Sequence, residues 1–158
     1  MADIKDPENT LIIETTKGRV VIALRPDLAP NHVARIKQLA REGFYDGIVF
    51  HRVIDGFMAQ TGCPNGSGTG GSKLPNLKAE FNAEPHVRGV CSMARAASPD
   101  SANSQFFIVF DDATFLDRKY TVWGQVIEGM DNVDKIKRGE PVQNPDRMTS
   151  VKVAADVA

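Results

Sequence analysis

Val49-Phe50-His51-Arg52-Val53-Ile54-Asp55-Gly56-Phe57-Met58-Ala59-Gln60 is the stretch whose reading decides the fold and the site. Asp55-Gly56 is a turn signal, and the β-branched and aromatic residues around it predict two short strands. Side chains alternate faces along a strand. Arg52 and Ile54 therefore fall on one face of the first strand, and Met58 and Gln60 on one face of the second. An arginine among Phe57 and Met58 is unusual. Burying its cation as a structural element demands an acidic partner, so the pattern points instead to a groove that uses the charge. Ser104-Gln105-Phe106-Phe107-Ile108-Val109-Phe110 repeats the theme, with Gln105 and Phe107 sharing a face.

Outward from this hairpin, residues 10–16 and 19–24 predict another, turned at Lys17-Gly18. Over residues 30–42 the period changes. Val33, Ile36, Leu39 and Ala40 recur at helical spacing, Pro30 suits the first turn, and Gly43 suits the stop. Strands are expected over residues 49–54, 57–60, 88–94, 105–109, 121–126 and 150–153. Met130, Val133 and Ile136 mark a short second helix ended by Gly139. Many short strands, two helices and no βαβ rhythm favour a closed antiparallel barrel or a sandwich. Residues 1–9 read as a short mobile tail and residues 10–158 as a single domain.

A chain of 158 residues, 42% hydrophobic and 25% charged, suits one soluble domain with a sizeable core. A formal net charge of −1 gives no electrostatic reason for a nucleic-acid or membrane-surface partner. No apolar run approaches a membrane span, and the N-terminus is too acidic and polar for a secretory signal. Cys63 and Cys91 have no CxxC partner and read as two free thiols in a reducing cytoplasm. Gly66-Ser67-Gly68-Thr69-Gly70-Gly71 formally matches G-x-G-x-x-G, but that motif works only when it opens a helix facing a pyrophosphate. Pro75 follows, with no helical periodicity, so a solvated surface loop is the better account. Asn65-Gly66-Ser67 is an idle glycosylation acceptor without a signal peptide. His32, His51 and His86 lack ligand spacing and read as satisfied structural histidines, with no metal site. Trp123 reads as core. No activated nucleophile or carboxylate pair stands out, so an enzyme here works without covalent or metal chemistry.

Phe50-His51-Arg52-Val53-Ile54, Phe57-Met58-Ala59-Gln60, Gly89-Val90-Cys91-Ser92-Met93-Ala94 and Ser104-Gln105-Phe106-Phe107 together resemble the cyclophilin family of peptidyl-prolyl cis-trans isomerases. Ala29-Pro30, Gly43-Phe44-Tyr45-Asp46-Gly47 and Phe115-Leu116-Asp117 add independent agreement, and the overall wording looks most like a bacterial cytoplasmic member. The resemblance implies a mainly β fold: a closed eight-stranded antiparallel barrel with a helix over each end and a groove on its outer surface. It implies Arg52 as catalytic residue with Gln60 as partner, and Phe57, Met58, Phe107 and Leu116 as a proline pocket. Ala94, Arg95 and Gln105 are implied as borders of the peptide, with Phe115 and Tyr120 as further walls. Proline-containing polypeptides are the expected partners, no cofactor is needed, and a monomer is the default for one small barrel.

These residue types suit that chemistry. Rotating an Xaa-Pro bond means breaking amide resonance, a barrier of about 18–20 kcal/mol. The prolyl nitrogen accepts a hydrogen bond only when the amide is twisted, so an Arg52 N–H aimed at it binds the transition state alone. Judged without the family, Phe57, Met58, Phe107 and Leu116 read as core, and Phe106 and Ile108 remain so in either reading. Three positions depart from the common family pattern. Phe115 stands where a Trp is frequent and lacks its N–H donor, so weak cyclosporin binding is expected. Arg95 replaces a frequent Asn, and its charge favours acidic residues near the proline. Tyr120 replaces a frequent His. The rivals are a proline-peptide chaperone or scaffold module with little turnover, and a barrel holding a small ligand inside; abundant large apolar residues argue for a filled interior.

Overall fold

A computed structural model describes residues 6–68, 70–140 and 142–157. β1 (Thr10–Thr15) and β2 (Gly18–Leu24) form the expected hairpin, with Thr16 and Lys17 as its loop and Leu11 opposite Ile22. Alternate residues of both strands, Leu11, Ile13, Val20 and Ile22, are buried in the main core. α1 (Pro30–Arg41) turns Val33, Ile36, Leu39 and Ala40 onto that core, as the helical spacing predicts. Its N-terminus has no side-chain cap of its own. The Glu80 carboxylate, far along the chain, accepts from the Asn31 and His32 N–H groups (3.2 and 2.8 Å), satisfying first-turn donors that have no helical partner.

The remaining strands are β3 (Arg52–Ile54), β4 (Met58–Thr61), β5 (Val90–Met93), β6 (Phe106–Val109), β7 (Val122–Glu128) and β8 (Met148–Val153). They join in one eight-stranded antiparallel sheet of order β3-β4-β6-β5-β7-β2-β1-β8. Phe106 sits at the middle of the interior, edge-on to both Tyr45 and Trp123 with ring centroids 5.6 and 5.3 Å away. Phe106, Ile108 and Trp123 are all buried, as expected of core residues.

The expectation of a closed barrel is corrected: β3 and β8 are the two ends of the sheet and share no ladder. The chain before β3 meets the start of β8 at an isolated bridge, Val49↔Arg147, where Gly47 N–H donates to the Met148 carbonyl (2.6 Å), Met148 N–H to the Ile48 carbonyl (2.8 Å) and Phe50 N–H to the Asp146 carbonyl (2.8 Å). Past that bridge the two segments part. The His51 carbonyl accepts from Val142 instead, and the Val49 carbonyl from the Thr61 hydroxyl. The strand expected over residues 49–54 accordingly shrinks to Arg52–Ile54.

The second helix is also shorter than expected. α2 (Met130–Asp134) stops well before Gly139 because the Arg138 guanidinium takes the Asp134 and Ile136 carbonyls (2.6 and 2.7 Å). Of the residues read as a mobile tail, 1–5 lie outside the described residues. Pro7–Asn9 form a 3-10 turn, which Glu8 ties to Lys37 and Arg41 at 2.9 Å each. Among the described residues, no helix is long and apolar enough to cross a membrane.

All three histidines are buried, but not all are satisfied. His86 bonds Asp117 through Nδ1 (3.0 Å) and Ser92 through Nε2 (2.9 Å), and His32 Nδ1 meets Glu80. Neither ring nitrogen of His51 has a partner among the described residues, contrary to expectation. Burial holds all three below the ordinary 6.5; Glu80 and Asp117 oppose the effect at His32 and His86, while Arg52 reinforces it at His51. Below pH 6.5 the unfolded chain therefore binds more protons than the folded one. Their contribution to stability is complete above that pH and is lost as pH falls through the lowered values. The urea midpoint is expected to drop between pH 7.5 and pH 5; equal midpoints would refute this.

Candidate active site

Antiparallel register sets the site's central row. Arg52 of β3 lies opposite Gln60 of β4, Gln60 opposite Phe107 of β6, and Phe107 opposite Ser92 of β5. The intervening row, Val53–Ala59–Ile108–Cys91, points the other way into the main core, as period-2 alternation requires. On the outer face a second apolar cluster forms around Met58, Phe107, Val109 and Leu116, with Phe57, Ala94 and Tyr120 packed against it.

A cavity of about 130 Å³ opens in that face. Arg52 and Gln60 line one side and Phe57, Met58, Phe107 and Leu116 supply apolar surface; Ala94, Arg95 and Tyr120 complete it. Strand parity does not place Phe57 beside Met58, and the structure shows why both reach the cavity. Gly56 takes φ 71°, Phe57 N–H closes a turn on the Ile54 carbonyl (3.0 Å), and β4 begins only at Met58. Phe57 thus belongs to the turn. Phe107 stands edge-on to Tyr120 (5.8 Å) and stacks on the His86 ring (6.3 Å), which the Asp117 and Ser92 bonds hold in place. Ser92 and His86 are wholly buried and out of a substrate's reach, so with Asp117 they back the pocket floor rather than act as a reactive triad.

Polar groups of the site form one chain. Arg52 Nε donates to Glu140 Oε2 (2.5 Å) and its Nη1 to Gln60 Oε1 (3.3 Å). Gln60 Nε2 donates to Gln105 Oε1 (3.0 Å), and Gln105 Nε2 to the Gly68 and Gly70 carbonyls (3.0 and 2.9 Å). Its polarity follows from the last link. Carbonyls only accept, so Gln105 must turn its NH₂ to the glycines and its oxygen to Gln60, which then presents an oxygen to Arg52. The glycine-rich segment is therefore more than the solvated loop expected of it. Its Gly68 and Gly70 N–H groups converge on Cys63 Sγ at 3.3 Å each, and that thiol donates to Asn65 Oδ1. Cys63 and Cys91 are both free and buried.

Two expected site residues lie outside the small cavity. Gln105 borders a larger neighbouring one of about 640 Å³, shared with Gly68, Gly70, Ser72 and Asn103. Phe115 is 65% exposed on the rim, its ring 5.6 Å from that of Phe57. The Arg95 guanidinium is held by its neighbours and is paired with no carboxylate among the described residues. Its guanidinium donates to the Lys119 carbonyl (2.7 Å from Nη2) and to that of Ala96, and lies 4.7 Å over the Tyr120 ring. Sequence reasoning missed Glu140, the two glycine carbonyls and the His86 support. None carries a local signal, because each meets the site only through contacts with distant parts of the chain.

Residues 10–155 match the family described as cyclophilin type peptidyl-prolyl cis-trans isomerase/CLD. A Brucella suis biovar 1 protein named "Probable peptidyl-prolyl cis-trans isomerase" is 53% identical over 171 aligned positions, covering 98% of this chain and 87% of that one. The crystal structure of cyclophilin AquaCyp293 from Hirschia baltica superposes with TM-score 0.90 at 36% identity, over 97% of this chain and 76% of that one. A Cryptosporidium parvum cyclophilin type isomerase, crystallised in the presence of the dipeptide Ala-Pro, matches with TM-score 0.85 at 25% identity, over 91% of this chain and 98% of that one. On its matched residues, its outer groove and these likenesses, the chain belongs to the cyclophilin family of peptidyl-prolyl cis-trans isomerases.

Proposed function

We propose that the small cavity seats the proline ring of a flexible polypeptide while Arg52 catalyses rotation about the preceding bond. One observation carries this reading: a guanidinium sits on the wall of an apolar pocket, bonded to Gln60 and Glu140 through two nitrogens, with its Nη2 hydrogens given to no described residue. In the planar amide the prolyl nitrogen accepts almost nothing; in the twisted state it pyramidalises and takes an Arg52 N–H. Phe57, Met58, Phe107 and Leu116 grip the ring and exclude water, which strengthens that bond. A charge-assisted hydrogen bond contributes about 1.5–3 kcal/mol, or one to two factors of ten in rate. Positioning and desolvation supply the rest. Ala94, Arg95 and Gln105 border the flanking peptide, with the Arg95 guanidinium held against the Tyr120 ring and the Lys119 carbonyl. The Cryptosporidium relative's crystallisation with Ala-Pro supports a proline-containing ligand.

Cyclosporin binding is weak in this reading, because the exposed Phe115 ring has no N–H donor to offer. Cis-trans exchange of an Ala-Pro peptide, followed by NMR, tests both points. The protein is expected to accelerate exchange and to keep most of its activity in micromolar cyclosporin. Binding without acceleration leaves only a peptide-gripping module, and full inhibition near stoichiometric cyclosporin refutes the weak-binding claim.

A further inference from the structure

We infer that Glu140 is a positioning residue for the isomerisation, holding the Arg52 guanidinium in the plane from which it reaches the prolyl nitrogen. This rests on Arg52 being the groove's donor. Glu140 owes its place to the backbone. Gly139 pairs with Val53 along the outer edge of β3, each N–H donating to the other's carbonyl at 2.8 Å. In that antiparallel register Glu140 lies opposite Arg52, so the row across the sheet reads Glu140–Arg52–Gln60–Phe107. The neighbouring Arg138 pins the segment: its Nη1 bonds the Asp134 and Ile136 carbonyls, its Nε meets Asp55 (3.2 Å), and its guanidinium lies 4.2 Å over the Phe110 ring.

A guanidinium is planar, and a long side chain left alone samples many rotations of that plane. Glu140 holds Nε and Gln60 holds Nη1, so two contacts at different nitrogens fix the plane. Gln60 alone, a neutral acceptor at 3.3 Å, leaves the plane free to turn. Both charges are partly exposed, Arg52 at 41% and Glu140 at 57%, so the pair adds little to global stability. Its consequence is local: an ordered donor costs no reorganisation at the moment the amide twists.

Glu140→Ala is expected to lower kcat/KM for an Ala-Pro peptide about two- to fivefold at low salt, with the loss in kcat rather than KM. The deficit is expected to narrow in high salt, where the wild-type pair is itself screened. Glu140→Gln, which keeps an acceptor for Nε, should recover part of the activity. The Arg52 Nε–H NMR signal should move and broaden in Glu140→Ala. A double-mutant cycle separates positioning from folding. In an Arg52→Ala background, Glu140→Ala should change nothing further, whereas a merely structural residue would still reduce activity. Unchanged or raised activity in Glu140→Ala, or an unaltered Arg52 Nε–H signal, overturns the inference. If Arg52→Ala by itself retains wild-type activity, it is the reading of Arg52 that fails.

Discussion

Arg52→Ala is expected to lower kcat for Ala-Pro isomerisation about 10–10²-fold, the worth of one charge-assisted hydrogen bond made only in the transition state. The loss should appear equally in kcat and kcat/KM. The bond that Arg52 makes exists only in the twisted amide, so removing it leaves ground-state binding of the peptide intact. Phe57, Met58, Phe107 and Leu116 still grip the ring in the variant. Fold stability should barely change, because the side chain is part-exposed and Gln60 stays anchored on Gln105. Arg52→Lys should also lose most of the activity. An ammonium cannot hold Gln60 and Glu140 at two in-plane nitrogens while keeping a third donor for the substrate. Single-turnover and steady-state rates measured beside peptide affinity decide the matter. A variant with wild-type kcat and a raised KM would mean that Arg52 only binds substrate.

Gly62→Ala carries the second large expected effect, this time on stability and activity together. Gly62 takes φ 95°, where an L side chain is strained by about 1–2 kcal/mol. An added Cβ would run into the Ser104 carbonyl oxygen and stand 2.9 Å from Gln105 Cα, both of them backbone that cannot swing aside. That oxygen already accepts from Tyr45 (2.7 Å), and Ser104 Oγ donates to the Gly62 carbonyl (2.8 Å). Strain and overpacking together should cost about 2–5 kcal/mol, a large share of the roughly 5–15 kcal/mol typical of a domain. Gln105 should be pushed off Gln60, so the polarity of the chain leading to Arg52 is lost as well. Gly56→Ala is the control. Its φ is 71° but a Cβ there meets nothing within 4 Å, so only the backbone strain applies. Urea midpoints for both variants, with exchange rates taken where each is folded, provide the comparison; equal destabilisation of the two would refute the steric account.

Much of the site was legible because its residues cluster in three short strands. The period of two set Arg52, Met58, Gln60 and Phe107 on the outer face and Ala59 and Ile108 on the inner, and the sheet register bears that out. The family pattern was also legible, since its motifs are local runs of residues. Boundaries were less so. The strand expected from Val49 begins only at Arg52 because the backbone of residues 49–51 bonds in turn to Thr61, Asp146 and Val142, and no property of residues 49–51 records that. The second helix ends early because a side chain four residues on takes its carbonyls. Arg95 shows the same limit for charge: its formal cation is evident from sequence, while its occupation by Lys119 and Tyr120 is a matter of which loops meet.

By itself, then, the sequence determined the antiparallel strand class, the two helices, the cyclophilin family and the placing of Arg52 and Gln60 among the apolar residues Phe57, Met58 and Phe107. These follow from periodicity and local motifs, which act over a few residues. Tertiary structure alone decided that the sheet stays open, that Phe57 leaves its strand through the Gly56 turn, and that Arg52 stands between Gln60 and Glu140. The reason is that a strand's neighbours come from anywhere in the chain. Gly139 pairs with Val53 because folding lays that segment on an open edge, and only then does an acid stand opposite the arginine.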